Sequence, residues 1–450
     1  MESIRKWSLR LAWLLLGLVV LATLLWGLSR ALYPTAAQRE ALALLRASDA
    51  PEGRNAFDAL WALGYRVPEE EMPAVVEADR RALEQIQQDP DRYAEDAPVF
   101  RSARENYPSL TPDMDNKPAF CPSGLDDCLD RVRQDPDAYR DLVERHRELL
   151  DRVHRLGQYD HFRNRLPWDL AMPFPAFSAL FYPLTENAVL FVDGRIDAAL
   201  AASCKTMATW RRLAPDSDML IFQLVGQGLV REHGRMLAEM AAKLPLDYPL
   251  PAQCAAALAA PEPSELSLCT AIKGEFALAD SVQIRPEHIP SSWLAGLGRL
   301  AFSLGFDPEA TRGEYARRFA RHCDSDSIAT NFEDRREVAD PRAPAMLRLA
   351  CVGNWIGCAF NEIATPAWSS YELRMRDHGA QLRLLNAWYM ARLDSGGVRN
   401  RMLELLDRRL AELSHPDRHY ELDRQAGEIR VKIYESAPES DWRLPLPARH

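Results

Sequence analysis

The sequence predicts a mainly α fold: a single N-terminal transmembrane helix, an extracytoplasmic multi-helix domain built from helical hairpins, and a small C-terminal β-hairpin. Three observations predict it. Residues 11–29 are nineteen positions without a charge. Long stretches after residue 30 repeat apolar residues at i, i+3, i+4 and i+7, the spacing of one buried helix face. Near the C-terminus the apolar period drops to two, that of a strand.

The apolar segment comes first. As a helix, nineteen residues span about 28 Å, close to the hydrocarbon thickness of a bilayer. Trp13 and Trp26 lie near its ends, where indole rings favour the headgroup region. Arg5, Lys6 and Arg10 precede it and Arg30 alone follows closely. The positive-inside rule therefore leaves residues 1–10 in the cytoplasm and sends the rest of the chain out. Thr35-Ala36-Ala37 resembles a signal-peptidase site, but the apolar run exceeds the 7–15 residues of a signal core. An uncleaved signal anchor at 11–29 is the expectation, with the lipid bilayer as its partner.

Composition excludes other classes. The 450 residues are 47% hydrophobic and 27% charged, the balance of a globular chain rather than a disordered one. The net charge of −10 opposes nucleic-acid binding, which needs a basic face. Arginine far outnumbers lysine, a bias of GC-rich bacterial genomes. Together with the anchor, it points to a bacterial inner membrane with the bulk of the chain periplasmic.

The eight cysteines agree with export, since oxidising compartments preserve disulfides. Cys254 and Cys269 stand equidistant from Pro261-Glu262-Pro263, the expected turn of a helical hairpin, and are predicted to pair. Cys121 and Cys128 bracket Pro122-Ser123-Gly124 and are predicted to staple a loop. Cys351 and Cys358, if on one helix, would be about 10.5 Å apart, too far to bridge. They would then need Cys204 and Cys323 as partners. There is no CxxC and no close Cys/His quartet, so neither a metal nor a cofactor is expected.

Beyond the anchor the chain reads as a first helical block at 30–160, a second at 161–306 and a third at 307–413, with a β-hairpin and extended tail at 414–450. In the first block, 136–157 is one amphipathic helix, with Asp135 as N-cap and Pro136 at the first helical position. In the second, 187–213 and 219–244 form an antiparallel pair joined by Pro215-Asp216-Ser217-Asp218. A 252–280 hairpin follows. Gly226 and Gly228 let helices approach closely. In the third, a helix starts after Pro366 and stops at Ser395-Gly396-Gly397. In the tail, Tyr420 and Leu422 alternate, as do Ile429, Val431 and Ile433, about a turn at Gly427. Pro445 and Pro447 keep the terminus extended.

No nucleophile elbow, P-loop or HExxH sequence occurs. His415 and His419 have metal-ligand spacing, but Pro416 intervenes and no Glu supports them. Three carboxylates fall on apolar helix faces: Glu186, Glu232 and Glu275, with His233 beside the second. Buried carboxyls can serve as general acids or bases, and buried Arg–Glu pairs give the same pattern without catalysis. Residues 168–182 gather Trp168, Phe174, Phe177, Phe181 and Tyr182 among prolines, a candidate binding groove. The expected function is a protein-binding, envelope-associated module rather than an enzyme. The alternatives are an extracytoplasmic hydrolase using the buried carboxylates, and a self-associating structural envelope protein. The oligomeric state is not readable from the sequence.

Overall fold

The computed structural model describes residues 2–47, 51–89, 99–112, 118–124, 127–169, 172–281, 293–335, 348–434 and 441–447. It divides into two units. One holds Met1–Ser48, Ala279–Asp324 and Glu337–Tyr371; the other holds Asp49–Leu278, Ser325–Arg336 and Glu372–His450.

Helix α1 (Glu2–Leu32) contains the predicted anchor, and its stretch Trp7–Leu32 is long and apolar enough to cross a membrane. Helix α2 (Ala36–Arg46) opens on a capping box. Thr35 Oγ1 accepts from the Gln38 N–H (3.3 Å), and Gln38 Oε1 accepts from the Thr35 N–H (2.8 Å). Next come α3 (Phe57–Trp61), α4 (Met72–Gln88), α5 (Cys128–Gln134), α6 (Pro136–Arg145) and α7 (Arg147–Arg155). Helices α8 (Pro183–Val192), α9 (Ile196–Leu213) and α10 (Leu220–Ala242) form the centre of the larger unit. Helices α11 (Cys254–Ala257), α12 (Cys269–Ser281), α13 (Trp293–Gly305), α14 (Pro308–Ala320), α15 (Ser325–Phe332), α16 (Leu349–Val352), α17 (Trp355–Asp394) and α18 (Arg399–Leu413) follow.

The antiparallel pair α9–α10 is as predicted, and Gly226 has the expected use, whereas a Cβ at Gly228 would meet Phe181 at an ordinary 3.5 Å. A Cβ at Gly226 would stand 2.4 Å from Ala214 Cβ, so only glycine permits this approach. Around the pair lies a core rich in aromatic rings, with Phe162 stacked on Phe222 at 3.9 Å and Trp61 and Trp388 fully buried.

Four elements differ from expectation. The 136–157 helix breaks at His146 (φ −108°, ψ 21°) into α6 and α7, though Asp135 caps it as read, its Oδ1 accepting from the Ala138 N–H at 3.3 Å. The 187–213 helix breaks at Gly194, whose φ of +77° suits only glycine at low cost. Helix α17 starts at Trp355 rather than after Pro366. The tail forms a third strand: β1 (Tyr420–Asp423), β2 (Glu428–Lys432) and β3 (Asp441–Pro445) make an antiparallel sheet in that order. In it Val431 faces Trp442 and Ile429 faces Leu444, and all four are buried. Two strands would leave one apolar edge open; the third covers it.

The disulfides also correct the sequence. Cys121–Cys128 forms, with Cα atoms 5.7 Å apart. Cys254 is bonded to Cys204 (Cα–Cα 4.9 Å), so the Cys254–Cys269 hairpin pair is wrong. The reason is local. The stretch after Cys254 is not a long helix but one turn, α11. The guanidinium of Arg211 takes its carbonyls instead, donating to Ala257 O (2.9 Å), Ala259 O (2.7 Å) and Ala260 O (3.2 Å). Cys351 and Cys358 do bridge, with Cα atoms 5.8 Å apart, because Gly353 and Asn354 separate α16 from α17 and the two residues share no helix. Cys269 and Cys323 are disulfide-bonded too.

Candidate functional site

The three carboxylates named from the sequence lie in three different environments. Glu186, in the first turn of α8, accepts from Arg147 Nη1 (2.7 Å), and its other oxygen lies 2.6 Å from His154 Nε2. Burial would raise its pKa, but the hydrogen bonds and charges of His154 and Arg147 outweigh burial and hold the carboxyl below its usual range. Glu275, on α12, is raised by burial, opposed by the backbone N–H of Leu220. That N–H is the first of α10, whose N-cap residue Met219 supplies no side-chain cap. Glu275 therefore caps α10 from outside the helix and faces the positive end of its dipole.

Glu232 lies on α10 and is 4% exposed. Its Oε1 accepts from Arg231 Nε (3.0 Å) and Nη2 (2.9 Å), and its Oε2 accepts from Arg235 Nη2 (2.6 Å). The neighbouring His233 points elsewhere. Its Nδ1 receives the Asn187 amide at 3.3 Å, and the same amide donates to Ser203 Oγ at 3.1 Å. Burial, and after it the charge of His154, pushes the His233 pKa down to about 3, so the ring is neutral at ordinary pH. His233 thus meets Asn187, and Glu186, the residue before it in sequence, meets His154 and Arg147 instead. The sequence grouped these residues; the structure does not bring them into one cleft.

It assembles another group instead. Glu232, Arg235, Met236 and Glu239 follow the i, i+3, i+4, i+7 spacing of one α10 face. They line a cleft with Leu184 of α8 and the Cys121–Cys128 loop. Glu239 is the residue that sequence reasoning missed. Arg235 Nε stands 3.8 Å from its Oε1, too far for a strong bond, and burial pushes its pKa up to about 7. Arg235 and Lys243 oppose that rise, while Asp130 and Glu232 add to it. The spacing from Glu232 was visible in the sequence; the cover supplied by the disulfide loop was not.

The sign of the resulting pH dependence follows. Glu239 has a folded pKa above its ordinary 4.5, so the native state holds the proton more tightly than the unfolded chain. Its contribution to stability is present below pH 4.5 and is lost as pH rises to about 7. A shift from 4.5 to about 7 corresponds to about 3 kcal/mol. Glu239→Gln should match the wild type in melting temperature at pH 4 and exceed it at pH 8. Equal differences at both pH values would show that the carboxyl is not held protonated.

The aromatic cluster divides. Phe174 is 55% exposed, whereas Trp168, Phe177, Phe181 and Tyr182 are half-buried against the core. Tyr182 stacks on Phe120 at 4.2 Å, and Phe181 lies against Gly228. Phe174 alone of the five presents most of its surface to solvent. His415 faces Asp334 (3.4 Å) rather than joining His419. Among the described residues no group of three or more His, Cys, Asp or Glu side chains is gathered for a metal.

Comparison with family models, curated proteins and solved structures found no match to this chain.

Proposed function

We propose that this chain is a single-pass, inner-membrane protein whose extracytoplasmic helical body binds another component of the envelope. The dispersal of its candidate acids carries the reading. Glu186 and Glu232 are each matched to arginines, and Glu275 caps a helix, which is how buried carboxylates serve a scaffold rather than a reaction. Thr35-Ala36-Ala37 is the cap and first turn of α2, which favours an anchor over an extended cleavage site. The disulfides fit an oxidising compartment. The net charge of −10 favours a basic partner, and exposed Phe174, between Pro173 and Pro175, is the contact assigned to it.

A photo-crosslinking amino acid placed at Phe174 of the full-length protein, in its native membrane, tests this. The expected result is a single protein adduct that is absent when the probe stands at exposed Leu393. Adducts only with the chain itself would favour a self-associating structural protein. No adduct at Phe174 would overturn the assignment.

One observation favours a second reading, a hydrolase. Glu239, raised to about 7, shares its cleft with Glu232, and two carboxyls in unequal environments suit acid–base work. A hydrolytic activity on envelope peptides or glycans, abolished in Glu239→Gln with the fold retained, would establish it.

A further inference from the structure

The helix α13 (Trp293–Gly305) reads Trp-Leu-Ala-Gly-Leu-Gly-Arg-Leu-Ala-Phe-Ser-Leu-Gly, with one charge in thirteen residues. In a water-soluble unit such a helix would be buried. Here Leu300 is 56% and Leu304 48% exposed. Space is open around Gly296 and Gly298, with nothing within 4 Å of a Cβ built there. In the same unit Val352, Trp355 and Phe360 are exposed as well. Trp355 lies against Gly305, where a Cβ would meet its Nε1 at 2.1 Å, so the end of α13 and the start of α17 form one apolar corner.

That corner is fastened to the end of α1. Trp26 Nε1 donates to Leu304 O (2.8 Å), and Arg30 Nη2 donates to Ser303 O (2.8 Å) and Phe306 O (2.9 Å). The Gly353 N–H donates to Ser29 Oγ (3.0 Å), and a Cβ at Gly353 would press on Arg30 Cγ at 3.0 Å. Ser29, the last position of the charge-free run, lies three positions after Trp26. At the helical rise, Trp26 therefore sits about 4.5 Å inside that limit. The carbonyl of Leu304 is held at the same depth, the level at which interfacial helices insert by about 5–10 Å.

We propose that α13, with Val352, Trp355 and Phe360, is a membrane-embedded collar, seated in the leaflet through which α1 exits and bound to its lipids. The proposal rests on α1 spanning the bilayer. The collar hides exposed leucines from water and fixes the tilt of the anchor against α13 of its own unit. Its ligand is the acyl and glycerol region of the bilayer, not a headgroup, because its large exposed side chains, Leu300, Leu304, Val352, Trp355 and Phe360, are apolar.

All eight native cysteines are disulfide-bonded, so a single introduced cysteine is a unique spin-label site. Leu300→Cys, Leu304→Cys and Trp355→Cys of the full-length protein, labelled and reconstituted in phosphatidylethanolamine–phosphatidylglycerol vesicles, report collisions with oxygen and with a water-soluble nickel chelate. Leu16→Cys serves as the label inside the anchor and Glu309→Cys as the label in water. Expected is an excess of oxygen collisions at 300, 304 and 355, as at 16, with the order reversed at 309. Nickel access at all three collar positions with oxygen excess at 16 would overturn the collar and leave the anchor standing. Nickel access at 16 would overturn both. Low access to both reagents at the three positions would show a protein surface covering α13, and would also overturn the proposal. Three separate collar sites keep the outcome readable if one variant fails to fold.

Discussion

Replacing Arg418 by methionine should destabilise the protein by about 3–5 kcal/mol, the cost of stranding buried charges when one partner of an ion pair is removed. Arg418 has no exposed side-chain surface. It pairs with Asp334 through Nε and Nη2, donates to Asp377 Oδ1 at 2.8 Å and to the carbonyl of Lys432, and lies over the Tyr434 ring at 3.7 Å. One guanidinium therefore joins the segment after α15, the helix α17 and the sheet. Methionine fills most of the volume but takes the Arg418 charge away from Asp334 and Asp377. Adding Asp334→Asn and Asp377→Asn should restore part of the loss, since the stranded charges are then gone. Asn is suited to position 334, whose backbone is left-handed at φ 56°. Arg430→Met, which breaks an exposed pair with Glu421, should cost under about 1 kcal/mol. Chemical denaturation of the full-length protein in detergent measures all three variants against the wild type. Equal losses at 418 and 430 would refute the buried-charge account.

The second large effect concerns Cys204–Cys254. Its cysteines are 50 residues apart and the closed loop contains all of α10. By the chain-entropy relation, removing a bridge of that span costs about 4 kcal/mol at 25 °C. The Cys121–Cys128 bridge, with a separation of seven, costs about 2 kcal/mol on the same relation. Paired alanine variants should therefore differ by about 2 kcal/mol, with the 204/254 pair the weaker protein. The reverse order in denaturation midpoints would show that local packing around the short loop, not loop closure, dominates.

These two positions also mark where the sequence was and was not legible. The long apolar N-terminal helix was read from its charge-free run, and the α9–α10 pair and the strand alternation from periodicity, because each is set by side-chain pattern within one element or one short connection. The helix after Cys254 was misread because alanine favours helix locally, while Arg211, more than forty residues earlier, captures the carbonyls. Once α11 is one turn long, hairpin symmetry no longer predicts a partner for Cys254. The Cys351–Cys358 bridge was missed for a related reason. Gly353 ends α16 where the chain closes on Ser29 and Arg30, and no local pattern encodes that closure.

The candidate site follows the same rule. Glu186, Glu232 and Glu275 were found because a carboxylate on an apolar stripe is visible in one helix. The partners of Glu186 and Glu275 come from other elements, so their separation was not, whereas Glu232 meets Arg231 and Arg235 of its own helix. Glu239 shares a face with Glu232, yet its raised pKa depends on burial beside a loop more than a hundred residues away in sequence. The exposure of α13's apolar surface is a property of the folded unit alone.

As proposed, one span would deliver the disulfide-bonded helical body to an oxidising compartment. Thiol trapping tests this most directly. Cells are quenched in acid, and the denatured full-length protein is treated with a polyethylene-glycol maleimide, with and without prior reduction. The account predicts no mass shift without reduction and eight additions after it, one per cysteine. Eight additions without reduction would mean that the thiols are free in the cell, and would contradict the proposal of an exported, disulfide-bonded protein.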